Sequence, residues 1–106
     1  MNGKQRYLLY LKMIKQGPTI SVLNDISDHN FVRIDWSFTD ADKTYHVRSY
    51  KLNYANHSGT NLYSTDIFFG KKRIAIIDDD KMAKTLFNVA NRALVNPIAT
   101  CHTNER

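Results

Sequence analysis

The stretch of residues 31–39 constrains the fold more strongly than any other part of this sequence. Its apolar residues alternate with polar ones and are Val32, Ile34, Trp36 and Phe38. Because successive side chains of a strand point to opposite faces, this alternation predicts a half-buried strand. One face carries the only Trp of the chain and is expected to join a core, whereas the polar face is expected to meet solvent.

Further strands are predicted at residues 44–55, 62–69 and 73–78, with a less regular candidate at 19–26. They are separated by turns at 27–30, 40–43 and 70–72 and by a polar loop at 56–61. The apolar phase changes between Val47 and Tyr50, so we expect a β-bulge near Ser49. The run 74–77 is apolar on both faces, which predicts a central or doubly covered strand.

Two amphipathic helices are predicted, at residues 4–16 and from 79 or 80 to about 95. The residues that end them are Gly17 and Pro18 for the first helix and Asn96 and Pro97 for the second. The expected buried stripes are Tyr7, Tyr10, Leu11 and Ile14 in the first helix and Met82, Leu86, Val89, Ala90 and Ala93 in the second. Leu8 and Leu9 fall outside the first stripe, so this helix is expected to contact more than one surface.

The order helix, four or five strands, helix predicts an α+β fold. Short connections favour antiparallel neighbours, so we expect a four- to five-stranded antiparallel meander in a two-layer sandwich with an N-terminal and a C-terminal helix. The alternative is a curled, partly closed barrel capped by the C-terminal helix. Residues 1–97 are expected to form a single domain, followed by a C-terminal tail at 98–106.

Charge and cysteine content restrict the class of partner and the compartment. The 106 residues include 15 Lys and Arg against 10 Asp and Glu, for a formal net charge of +5. This balance favours an acidic partner, either nucleic acid or an acidic protein surface. Cys101 is the only cysteine, and no apolar segment is long enough for a signal peptide or a membrane span. We therefore expect a cytoplasmic protein that does not enter a membrane.

The consecutive residues Asp78, Asp79 and Asp80 are the first candidates for a metal site. The surrounding KRIAIIDDDKMAKTL resembles the opening of a response-regulator receiver domain, which implies an acidic pair that binds Mg²⁺. A receiver domain continues with several strand–helix units, whereas only residues 88–106 follow here. We therefore expect Asp79 or Asp80 to cap the second helix, and no metal or cofactor. Cys101 and His102 lack the clustered partners of a zinc site.

Basic and aromatic residues are expected to share the polar face of the sheet. Arg33 is predicted to lie beside the next strand, where His46, Arg48 and Tyr50 alternate, with Lys51 nearby. The candidate nucleic-acid-binding residues are Arg33, His46, Arg48, Tyr50, Lys51, Lys71, Lys72 and Arg73. The alternative is an ordinary solvated face with the ion pairs Arg33–Asp35 and Arg48–Asp66.

Three functions are compatible with this pattern. The first is binding of RNA or single-stranded DNA, in which cations meet phosphates and tyrosine stacks on bases. The second is a protein-binding inhibitor or adaptor, because the composition resembles that of accessory proteins of bacteriophages and mobile elements, many of which act on host proteins. The third is a metal-free ribonuclease, with His46 as general base and Arg48 stabilising the phosphate charge. We expect a binding module rather than an enzyme.

Overall fold

The computed structural model describes residues 1–19, 24–27, 30–52 and 62–95. Its elements are α1 (Gly3–Gln16), β1 (Asn24–Ser27), β2 (Phe31–Asp40), β3 (Lys43–Leu52), β4 (Tyr63–Phe69), β5 (Lys72–Ile77) and α2 (Asp80–Val95). The strands form one antiparallel sheet in the order β1-β2-β3-β4-β5, so neighbours in the sheet are neighbours in the sequence. The predicted α+β meander is confirmed, and the sheet is not closed into a barrel.

Two hairpins of the sheet are closed by turns of two residues. The last pairs before these turns are Asp40 with Lys43 and Phe69 with Lys72. Such short turns need a left-handed backbone at their first residue to match the twist of the strands. Gly70 has φ 63° there and pays no steric penalty, whereas Ala41 adopts φ 57° with a Cβ atom.

The predicted bulge in β3 is wrong. The strand pairs with β2 in an unbroken register from Lys43 to Leu52. The change of apolar phase has another cause, since Ser49 is fully buried and its hydroxyl accepts a hydrogen bond of 3.0 Å from Trp36 Nε1. The register shift occurs instead between Ile67 and Phe68 of β4, where β5 contains one extra residue.

The strand β5 lies at the edge of the sheet, so the prediction of a central or doubly covered strand there is wrong. Ala75 and Ile77 are buried, but Ile76 points to the other face and is 40% exposed. Ile74 is partly buried and packs against the core, so Ile76 is the one residue of the apolar run that faces away from it.

Both helices pack on one face of the sheet, which we call the helix face. In the shared core this face contributes Ile34, Trp36, Phe38, Val47, Ile67, Ala75 and Ile77. The helices contribute Leu9, Tyr10 and Met13 from α1 and Ala83, Leu86, Phe87 and Ala90 from α2. The opposite face, which we call the open face, is covered by no described element. The prediction that the terminal helices cover the apolar face is confirmed.

The helix α1 begins and packs differently from the prediction. It starts at a capping box in which Asn2 and Gln5 each accept a hydrogen bond from the other's backbone N–H. Its buried side is Leu9, Tyr10 and Met13, whereas the predicted stripe members Tyr7 and Leu11 are 51% and 38% exposed. Apolar residues occur around much of this helix, so helical periodicity alone did not identify the side that joins the core.

Some predictions lie wholly or partly outside the described residues. These are the part of the weak strand candidate at 20–23, part of the turn at 27–30, the end of the third strand at 53–55, the loop at 56–61, the helix end at Asn96 and Pro97, and the pair Cys101 and His102. Within the described residues of the weak candidate, β1 forms at Asn24–Ser27, and the Thr19 backbone N–H donates to the Ser37 carbonyl at 3.0 Å.

Candidate nucleic-acid interface

The open face is built from alternate residues of four neighbouring strands. The register brings to it Arg33, Asp35 and Ser37 of β2, His46, Arg48 and Tyr50 of β3, Ser64, Asp66 and Phe68 of β4, and Arg73 and Ile76 of β5. Direct partners across an antiparallel pair share one face, so these side chains are neighbours. The prediction that Arg33 shares a face with His46, Arg48 and Tyr50 of the next strand is confirmed, and the register pairs Arg33 with Tyr50, Asp35 with Arg48 and Ser37 with His46.

Arg48 lies over the ring of Phe68 near the middle of the open face. Its guanidinium carbon is 4.9 Å from the ring centroid, and the side chain is exposed. Asp35 and Asp66 lie directly opposite Arg48 on the two adjacent strands. No carboxylate of the described residues nevertheless lies within 4.0 Å of its guanidinium. The ion pair predicted between Arg48 and Asp66 is therefore wrong, and Asp66 lies instead 3.9 Å from Arg73.

Arg33 is held by a carboxylate of its own strand. Its Nε lies 3.1 Å from Asp35 Oδ1, and its Nη2 donates to Oδ2 at 3.2 Å. The two side chains are 23% and 26% exposed, so most of this pair is withdrawn from water. Contact of Arg33 with a phosphate would have to compete with this ion pair, in which the contact of Nη2 with Oδ2 has hydrogen-bond geometry and that of Nε with Oδ1 does not. We therefore assign Arg33 a structural role at the edge of the interface rather than a leading role in binding.

Tyr50 and Phe31 form an aromatic corner at one end of the open face. Their ring centroids are 6.1 Å apart, and the planes meet at 65°. Together with Leu62 and Asp78 they line a shallow pocket of about 280 Å³. An aromatic wall beside one carboxylate suits a flat heterocycle that carries N–H donors, such as a nucleobase.

His46 lies exposed on the open face, on the side away from this corner. Its Nδ1 is 3.3 Å from the Ser37 hydroxyl, and its partner on β4 is Phe68. The imidazole therefore stands beside the stack of Arg48 and Phe68, where it can donate a hydrogen bond to a ligand.

Lys51 is not part of this surface. It pairs with Val32 and Tyr63, and the alternation along β3 places it on the helix face. The sequence predicted only that Lys51 lies near the polar face, and the unbroken register of β3 past Ser49 places it on the other face. One residue separates it from the open-face Tyr50, which makes Lys51 a useful control position.

The turn predicted to add positive charge to this face contributes mainly Arg73. Lys71 lies in the exposed turn, and Lys72 pairs with Phe69, whose ring packs against Tyr45 of the helix face at 5.6 Å. Arg73 pairs with Phe68 and so belongs to the open face. The register shift beside Phe68 decides this division.

Two aromatic residues of the interface were not identified from the sequence as site residues. Phe68 has the same alternation phase as Asp66, and Phe31 has the same phase as Arg33. The sequence therefore contained a signal for both residues, namely a phenylalanine at a position where the alternation of the strand places polar side chains.

Charge on the open face is nearly balanced. Arg33, Arg48 and Arg73 are opposed by Asp35 and Asp66, and Asp78 lies at the end of the face. The net charge of +5 is therefore distributed elsewhere to a large extent. The open face therefore offers aromatic rings as well as cations to a ligand.

One carboxylate of the acidic run, that of Asp80, has a structural role. Asp80 Oδ1 accepts hydrogen bonds from the backbone N–H groups of Leu62 and Tyr63 at 2.7 and 2.9 Å, so its side chain holds the start of β4. The N-cap position of α2 is Asp79, whose carbonyl accepts from Ala83 at 2.9 Å. Within the described part of the chain, no group of three or more His, Cys, Asp or Glu is placed to hold a metal ion.

Comparison with known proteins leaves the fold and the site as the basis for a functional assignment. No family model, no curated protein and no solved structure matches this chain. Neither of the two described helices is long and apolar enough to cross a membrane.

Proposed function

We propose that this protein is a non-enzymatic module that binds single-stranded nucleic acid, either RNA or DNA, through the open face. The observation that supports this most directly is the exposed Arg48 guanidinium over the Phe68 ring, on a sheet face that no described element covers. Bases without a pairing partner stack on aromatic rings and on guanidinium planes. Tyr50 offers a second stacking position on the same strand.

The spacing of these groups suits an extended strand of nucleic acid. Arg48 and Tyr50 are two residues apart on β3, so their side chains start roughly 7 Å apart on the same face. One base stacks on the Arg48–Phe68 pair, and the next lies against Tyr50 or enters the pocket beside Asp78. Arg73 and His46 flank the first position and contact phosphate or sugar oxygens.

The nearly balanced charge of the open face predicts a shallow dependence on salt. Arg33 is held close to Asp35, whereas Arg73 is 52% exposed and lies 3.9 Å from Asp66, so Arg48 and Arg73 are the main phosphate contacts. Each contact with a single strand contributes about −0.7 to the slope of log K against log salt. We expect a total slope of about −1 to −2, between the value for a neutral surface and that for a strongly basic groove.

Titration of a labelled short oligouridylate or oligothymidylate, followed by fluorescence anisotropy, tests the proposal. We expect Arg48→Ala to raise Kd roughly tenfold and to reduce the salt slope by about 0.7, because one cation and one stacking plane are lost. Arg48→Lys keeps the positive charge but loses the planar guanidinium on which a base can stack. It should therefore show the salt slope of the wild type but only part of the wild-type affinity. Equal loss of affinity at all base sequences is expected, because stacking and phosphate contacts are tolerant of sequence.

Two lysines provide matched controls for this titration. Lys84→Ala removes an exposed positive charge from α2, on the other layer of the protein. Lys51→Ala removes the charge of a partly buried lysine on the helix face. Both should leave Kd within about twofold, since neither side chain belongs to the open face. If Lys84→Ala weakens binding as much as Arg48→Ala, the interaction follows overall charge and the open face is not the site.

Metal-free RNA cleavage stays a prediction of the sequence. His46 is exposed beside Ser37 on the proposed binding surface, which is the position that a general base would need. On that hypothesis His46→Ala abolishes turnover of a labelled RNA at an unchanged melting temperature. Turnover that persists in His46→Ala would exclude His46 as the base. A cytoplasmic location is consistent with binding of RNA and is part of the same proposal.

A further inference from the structure

The solvent side of α1 carries a stripe of exposed apolar residues, of which Tyr7 also stacks on the core residue Tyr10 with ring centroids 5.9 Å apart. Tyr7, Leu8 and Leu11 are 51%, 49% and 38% exposed, while the opposite side of the helix, Leu9, Tyr10 and Met13, is buried. With Lys4 and Lys15 the stripe follows the spacing i, i+3, i+4, i+7 and i+11, which forms one continuous strip along a helix. A contiguous exposed apolar strip rimmed by polar residues is typical of an interaction site.

A groove lies beside this strip and shares one residue with it. Leu8 forms a wall of a cavity of about 490 Å³ between α1 and the end of the sheet. Its apolar lining includes Tyr45, Phe69 and Ile74, and Phe69 is 45% exposed although its ring packs on Tyr45. The strip and the groove together therefore offer a ridge and an adjacent recess, which can receive one large apolar side chain of a partner.

The unpaired charges at the two ends of the strip are both positive, while Asp40 in the adjacent groove is paired with Lys12. Residues 1–24 contain no Asp and no Glu, and Lys4 and Lys15 stand at the two ends of the strip. Among the described residues, Lys12 is neutralised by Asp40 at 3.1 Å, whereas no carboxylate pairs with Lys4 or Lys15. The complementary occupant therefore carries carboxylates on both sides of an apolar centre.

We propose that this surface docks an acidic amphipathic helix of another protein. The apolar side chains of that helix pack on Tyr7, Leu8 and Leu11, one of them enters the groove beside Phe69, and its carboxylates pair with Lys4 and Lys15. Two α1 helices would not fit each other, because parallel and antiparallel arrangements both bring lysine against lysine without a carboxylate. This surface lies apart from the open face, so the chain can hold nucleic acid and an acidic protein together.

Affinity capture from a nuclease-treated lysate with matched baits, followed by titration of the purified partner, tests this proposal. The baits are the full wild-type chain, the double variants Leu8→Ser with Leu11→Ser and Lys4→Glu with Lys15→Glu, and Arg48→Ala as the open-face control. The α1 positions are exposed, so the variants are expected to fold, which circular dichroism and thermal melting verify. We expect one protein to be retained by wild type and Arg48→Ala and to be at least tenfold depleted on both α1 variants.

The purified partner must reproduce this pattern in titration. We expect the Kd of the partner to rise at least tenfold for both α1 double variants and for Phe69→Ala. It should stay unchanged for Phe68→Ala on the open face. For the wild type, the Kd should rise with salt concentration. Three results would overturn the proposal. The first is capture that does not depend on the α1 substitutions. The second is a concentration-dependent dimer in sedimentation that the Leu8→Ser with Leu11→Ser variant no longer forms. The third is binding to phosphatidylserine-containing vesicles that both α1 double variants have lost.

Discussion

Phe68→Ala should raise the Kd for a single-stranded oligonucleotide roughly 5- to 150-fold, because loss of one stacking platform costs about 1–3 kcal/mol per base. The substitution also removes the ring over which the Arg48 guanidinium is held at 4.9 Å, so the cation loses its fixed position. Anisotropy titration with the oligonucleotide measures the effect. Phe68 is only half-buried, so most of the core is untouched.

The neighbouring residue provides the control for this substitution. Phe69→Ala removes the same side chain one position later, but from the helix face, where its ring packs on Tyr45. We expect its Kd for the oligonucleotide to equal that of the wild type. If the two phenylalanine variants weaken nucleic-acid binding equally, the face assignment fails. If neither does, stacking on Phe68 is excluded.

Asp80→Ala should lower the free energy of unfolding by about 2–4 kcal/mol, which is a large part of the stability of a domain of this size. The carboxylate accepts two backbone N–H groups, of Leu62 and Tyr63, in a partly buried position. The backbone carbonyl of Leu62 in turn accepts a hydrogen bond of 2.8 Å from the Leu52 backbone N–H. The Asp80 side chain therefore links the start of α2 to the place where β3 meets β4. Urea unfolding measures the loss.

Asp78→Ala is the control for charge and sequence position. Asp78 is exposed two residues earlier, and its removal should change stability by less than about 0.5 kcal/mol. Asp80→Asn keeps an acceptor oxygen without the charge and should fall between wild type and Asp80→Ala. Equal midpoints for Asp78→Ala and Asp80→Ala would show that the two hydrogen bonds do not contribute to stability.

The membership of the open face could be predicted from local alternation. The period of two in residues 31–39, with a hairpin turn at Asp40–Lys43, already placed Arg33 on one face with His46, Arg48 and Tyr50, as the register shows. This succeeded because a short turn leaves little freedom in the register of a hairpin. The fold class followed from the same short connections.

The remainder depended on contacts between distant residues. The burial of Ser49 is explained by its hydrogen bond to Trp36, which is 13 positions away, and local pattern suggested a bulge instead. The register shift beside Phe68 is likewise set by how β4 pairs with β5, and the sequence of either strand alone does not show it. That pairing places Lys72 opposite Phe69 and Arg73 opposite Phe68. The rotation of α1 is set by its packing partners, because its own sequence is apolar on two sides.

The most direct measurement is an NMR titration of the ¹⁵N-labelled protein with a short oligouridylate. Binding through the open face predicts shifts in the backbone amide resonances of Arg48, Tyr50 and Phe68 and in the Nε–H resonance of Arg48, with the amides of α2 around Lys84 unmoved. Shifts confined to α1 or α2, or none at concentrations up to about 1 mM oligonucleotide, would contradict the assignment of the open face as a nucleic-acid interface.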